Sequence, residues 1–79
     1  MMNRSREQII ANILSAASEP IKRTHIMYHA NLSFDQLKIY IGYLHGRKLI
    51  KQTKDDLWEI TDAGRIFVSQ YQLLAAMLA

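Results

Sequence analysis

With 79 residues the chain has room for one small domain, and its core must be limited because so short a chain buries only a little over half of its unfolded surface. There is no cysteine, which excludes a disulfide framework and a thiolate metal site and leaves oligomerisation as the expected supplement to the core. The formal charge of +3 is modest, but nine of the ten Lys and Arg lie in residues 1–54 against three acids, while residues 55–79 carry one against four.

The N-terminus has basic residues but no apolar run with a small-residue cleavage site, so a cytoplasmic protein is expected. Ser5 followed by Gln8 has the spacing of a capping box, and Ile9, Ile10, Ile13, Leu14 and Ala17 recur at helical intervals, which predicts a helix over about 5–17. Pro20 stops it, and "PIK" is long enough for a short edge strand. Thr24 is the expected cap of a second helix over about 24–30, with Ile26, Met27 and Ala30 inward and Asn31 as a left-handed terminator. Ser33 and Gln36 form another capping box and open a third helix, in which Leu37, Tyr40, Ile41 and Leu44 make the inner stripe. That is a helix-turn-helix spacing. The runs "LIKQT" and "LWEIT" around the charged turn "KDD" predict a hairpin, with Trp58 in the core. Thr61 then caps a final helix over about 62–79, whose stripe is Ala63, Ile66, Phe67, Gln70, Tyr71, Leu74, Met77 and Leu78. Its uncharged run from Ile66 is too short and too polar to span a bilayer, so no membrane is expected.

Helix, short strand, helix, helix, β-hairpin wing, C-terminal helix is the winged helix-turn-helix order: an α+β fold, mostly α, expected as a single domain over residues 1–79. The pieces "THIMYHANLS", "QLKIYIGYLHGRKLI" and "WEITDAGRIF" also resemble a family of small archaeal winged-helix DNA-binding proteins, some of them chromatin-associated, that dimerise through a C-terminal helix as an antiparallel coiled coil. The resemblance covers about residues 5–68. It implies a transcriptional regulator or chromatin-associated factor, cytoplasmic and nucleoid-associated, with double-stranded DNA and a second copy of itself as partners. The tail here is shorter and less charged than a long coiled-coil arm.

A helix that reads the major groove needs polar groups near its N-terminus and one outward face, flanked by cations that hold phosphates. Ser33, Asp35, Gln36, Lys38, Ile39, Gly42 and Tyr43 are that set. Gln36 has the groups to pair with adenine, and Ile39 suits a thymine methyl. Gly42 permits close approach to a sugar-phosphate strand. Arg23 and then Arg47, Lys48, Lys51 and Lys54 supply positive charge for phosphates. The plainer readings are that Ser33 and Gln36 only cap each other, and that Lys51 and Lys54 only protect an edge hairpin from aggregation. The family resemblance implies a commonly basic position at His25, hence a pH-sensitive phosphate contact there. His25 and His29 are spaced i, i+4, but with no third ligand nearby no metal site is expected. No cofactor, small-molecule ligand or catalytic constellation is expected either, so the chain reads as no enzyme. The alternative function is a winged helix used for protein–protein contact in a larger assembly.

The last helix predicts the homodimer. Phe67, Gln70, Tyr71, Leu74, Met77 and Leu78 are the expected interface. The first turns have the core to cover Ala63, Ile66 and Phe67, but "LLAAMLA" would remain as an apolar patch that a monomer seldom leaves exposed.

Overall fold

The computed structural model describes residues 4–79, so residues 1–3 of the expected domain lie outside the described residues. In chain order its elements are α1 (Arg6–Ala16), α2 (Arg23–Ala30), α3 (Phe34–Gly46), β1 (Ile50–Gln52), β2 (Trp58–Ile60) and α4 (Asp62–Leu78). The strands form a two-stranded antiparallel sheet. This is the expected α+β, mostly helical, winged-helix order.

Caps set the helix starts. The Ser5 hydroxyl accepts from the Gln8 backbone N–H at 3.0 Å. At Ser33 the box closes in both directions: Gln36 N donates to Ser33 Oγ at 3.1 Å and Ser33 N donates to Gln36 Oε1 at 3.0 Å. The start of α2 differs from expectation, because Lys22, not Thr24, is its N-cap and supplies no side-chain hydrogen bond. The cause lies one residue earlier. Ile21 exchanges backbone hydrogen bonds of 2.9 and 2.8 Å with Trp58, which fixes the chain there and leaves Thr24 inside the first turn. The expected strand over "PIK" is thereby reduced to one isolated bridge.

Left-handed residues close the next two helices. Asn31, at φ 54°, ends α2 as expected, and Leu32 N donates to Met27 O at 3.0 Å in a Schellman pattern. The Arg4 guanidinium donates to the carbonyls of Ala30 (2.5 Å) and Asn31 (3.0 Å), so the segment before α1 holds the turn of the helix-turn-helix. α3 runs through Gly46. Lys48, at φ 61°, takes the left-handed position instead, with Leu49 N donating to Leu44 O at 3.0 Å.

The hairpin pairs Ile50 with Ile60, Lys51 with Glu59 and Gln52 with Trp58. Alternation sends Ile50, Trp58 and Ile60 into the core, where Ile50 joins Ile13, Leu14, Ile26, Leu37 and Leu44 as the largest fully enclosed side chains.

α4 is rotated relative to expectation. Its inner side consists of buried Gly64 and half-buried Phe67, Val68 and Tyr71, while Ala63 is exposed and Ile66 is 62% exposed. Three contacts fix that rotation. The Thr61 hydroxyl donates to Lys48 O at 2.7 Å and accepts from Gly64 N at 3.1 Å, and Arg65 donates to Ser18 O at 3.1 Å. From Gln72 to Ala79 every residue is exposed.

Candidate nucleic-acid interface

The turn and its Arg4 clasp aim α3 outward, so that Ser33, Asp35, Gln36, Lys38, Ile39 and Gly42 are all exposed. By helical periodicity Asp35, Ile39, Gly42 and Gly46 form the outermost stripe, with Lys38 on one flank and Tyr43 on the other. Ile39 is 70% exposed, unusual for an isoleucine in a helix with a buried face. A Cβ at Gly42 or Gly46 would meet nothing within 4 Å, so the stripe is flat and open along its C-terminal half. Gln36 is on the same side as Tyr43, but its side-chain oxygen already accepts from Ser33 N. Bidentate pairing with adenine needs both ends of the amide, so base contact by Gln36 competes with the cap.

Tyr43 is half-buried at the edge of that face, packed against the core. The Arg6 and Arg47 guanidinium carbons lie 4.6 and 4.8 Å from its ring centre. On the other flank, Trp58 of the wing is met edge-on by the His45 ring at 5.5 Å and by the Arg23 guanidinium at 5.8 Å from its ring centre. The N-terminus of α2, the C-terminal half of α3 and the wing therefore meet at one tryptophan. His25 is exposed in the first turn of α2, next to the N-cap that carries no side-chain bond.

The wing is less positive than its lysines suggest. Lys51 is paired with Glu59 at 3.9 Å, a solvent-screened surface contact. Lys54 is at the exposed tip beside Asp55 and Asp56, and Asp56 adopts φ 64° and accepts from the Gln52 side chain. Lys38 directly precedes Ile39 of the outward stripe, and Arg47 and Lys48, both exposed at the junction of α3 and β1, follow its last residue, Gly46. Arg6 and His45 joined no expected site. Arg6 belongs to α1, and only the tertiary packing of the helices brings it to Tyr43, so no local signal marks it. His45 is one turn beyond Ile41, and its contact with Trp58 is likewise tertiary.

Of the expected dimer residues, Phe67 and Tyr71 are half-buried and their rings stack in parallel at 6.5 Å, while Gln70, Leu74, Met77 and Leu78 are exposed. Met77 and Leu78 are 73% and 79% exposed. Glu7 of α1 joins Phe67, Gln70, Tyr71 and Leu74 along a shallow groove between the two helices. His25 and His29 are both exposed, and no cluster of three metal-ligating side chains occurs among the described residues.

Residues 3–79 match the protein family described as winged helix-turn-helix. Two archaeal relatives are uncharacterized proteins of Methanocaldococcus jannaschii. MJ0290 is 33% identical over 72 residues, which is 90% of this chain and 34% of that protein, so the chain spans about a third of this relative's length. MJ0287 is 34% identical over 76 residues, 94% of this chain and 77% of that protein. The crystal structure of Sso10a-2, a DNA-binding protein from Sulfolobus solfataricus, is similar with a TM-score of 0.81 at 21% sequence identity, over 94% of this chain and 81% of that one. At that identity the likeness concerns the fold.

Proposed function

The chain belongs to the winged helix-turn-helix family, and on that premise we propose that it binds double-stranded DNA by docking α3 in the major groove. The observation that carries this reading is the uncovered stripe of α3, open at Gly42 and Gly46 and bordered by Lys38, Arg47 and Lys48. The likeness in fold to a DNA-binding protein supports it. Asp35 suits the cytosine amino group and Ile39 a thymine methyl, so these two exposed side chains are the best candidates for base contacts. Ser33 and Gln36 mainly hold the leading end of the helix in shape. Arg23, His25, Arg47, Lys48, Lys51 and Lys54 are the candidates for phosphate contacts, about three of them engaged in each protomer, and such contacts position the protein without reading sequence. Tyr43 belongs with this second group through its arginine neighbours.

A homodimer through α4 completes the proposal. Leu73, Leu74, Met77 and Leu78 form an apolar face uncovered within the chain, and a two-fold pair would cover it while presenting two α3 helices to one duplex. The corresponding role is transcriptional regulation or chromatin association, with the protein on the nucleoid. The same uncovered face is the one observation favouring a protein-interaction module in a larger assembly, but a homodimer accounts for it equally and leaves the α3 stripe to a ligand.

Binding of the full chain to a random-sequence duplex, followed by fluorescence anisotropy over a salt series, tests the reading. If each of two protomers neutralises about three phosphates, log K falls with log salt with a slope of about −5. A protein interaction module would show no retention on the duplex at low salt, and that result would dismiss DNA binding.

A further inference from the structure

Tyr43 brings together two charges that belong to distant parts of the chain. Arg6 rides in the first turn of α1 and Arg47 is the C-cap of α3, yet their guanidinium carbons lie 4.6 and 4.8 Å from the centre of the same ring. Both arginines are exposed. Among the described residues the one ion pair is Lys51–Glu59, so neither guanidinium has a carboxylate within 4.0 Å. Glu7, the acid adjacent to Arg6, lines the groove with Phe67, Tyr71 and Leu74 instead. The negative face of an aromatic ring attracts a guanidinium but does not cancel its charge. Two unneutralised cations gathered at one side chain repel each other, and a bound anion relieves that repulsion. The planar guanidinium fork matches the oxygens of a phosphate, and an arginine already held on a ring loses less rotamer freedom when the phosphate arrives.

We infer that Arg6 and Arg47, held by Tyr43, form a two-guanidinium seat for the phosphodiester backbone of duplex DNA beside the open stripe of α3. Tyr43 is the positioning residue of that seat and touches the backbone only through the two arginines. The inference rests on the DNA-binding reading above and adds to it a contact from α1, outside the helix-turn-helix and the wing.

The test uses the full chain and a labelled random-sequence duplex across a salt series. Arg6→Gln and Arg47→Gln should each flatten the slope of log K against log salt by about 0.9 per protomer, one phosphate contact each. Tyr43→Phe keeps the ring and should restore the salt slope that Tyr43→Leu loses. Tyr43→Leu keeps both charges but should weaken binding about as much as Arg6→Gln, and adding Arg6→Gln to it should cost little more. Because Tyr43 is half-buried, thermal unfolding accompanies each variant, and the two arginine variants, at exposed positions, decide the matter if Tyr43→Leu does not fold. A wild type that binds DNA, with unchanged slopes in both arginine variants, overturns the seat and leaves DNA binding intact. A folded Tyr43→Leu that binds like wild type overturns the positioning role. A wild type that is not retained on the duplex removes the DNA-binding reading and the seat with it.

Discussion

Replacing Gly64 with Ala should destabilise the protein even though alanine is the better helix former. Gly64 is the buried third residue of α4, and a Cβ there would collide with the backbone carbonyl oxygen of Leu49 and lie 2.6 Å from Cγ1 of Ile60. Cγ1 is an inner carbon of the buried Ile60 side chain and has little room to shift, and the Leu49 carbonyl has less: it is main chain, and it accepts from Thr61 N at 3.2 Å at the junction between the wing and α4. Overpacking of this kind costs about 3 kcal/mol at the upper end of its usual range. The gain from replacing glycine within a helix is at most about 1 kcal/mol, so the net loss is about 2 kcal/mol. For a domain of this size that is a fall in Tm of roughly 10 °C, read by circular dichroism at fixed protein concentration. A Gly64→Ala variant as stable as the wild type would refute the close approach of α4 to Leu49 and, with it, the rotation that turns Ile66 outward.

Ser33→Ala removes the hydroxyl that caps α3 and should cost about 1 kcal/mol in denaturant unfolding; a loss in DNA affinity much larger than that would mean Ser33 also touches the duplex. Asp55→Asn removes a negative charge from the exposed wing tip, and duplex affinity should rise at low salt for all sequences alike. Unchanged affinity in that variant would mean the tip stays away from phosphates. Sedimentation equilibrium on the full chain at tens of micromolar should give a dimer, and a chain ending at Val68 a monomer with reduced duplex affinity; a full-length monomer would remove the α4 interface.

Where local spacing alone decides, the reading from residue order held. Ser33 with Gln36, Asn31 as left-handed terminator, the alternation around Trp58 and Thr61 as a cap are all short-range signals. The start of α2 depended on a hydrogen bond from Ile21 to a strand 37 residues later, so Thr24, a good cap in isolation, was passed over. In the first turns of α4 the apolar residues Ala63, Ile66, Phe67 and Val68 spread over more than one side, and periodicity cannot then say which side turns inward. Ala63 and Ile66 had the better side chains for a core, but Gly64 fits where nothing larger does, and that small residue set the phase. The outward face of α3 was legible because the inner stripe of Leu37, Ile41 and Leu44 is narrow. The partner of Tyr43 was not, since Arg6 reaches it only once α1 is packed.

The single tryptophan of the chain is 5% exposed on β2, hydrogen-bonded through its backbone to Ile21 and touched by His45 of α3 and Arg23 of α2. Trp58 is thus a built-in optical gauge of the joint between the wing and the helix-turn-helix. Buried indole emits at shorter wavelength than hydrated indole, so its spectrum distinguishes two ways of engaging a ligand. A protein that docks as a rigid body keeps His45 and Arg23 on the ring, and the emission maximum stays where it was. A wing that swings on binding peels those neighbours away, admits water to the indole and moves the maximum to the red, with no label attached to either molecule.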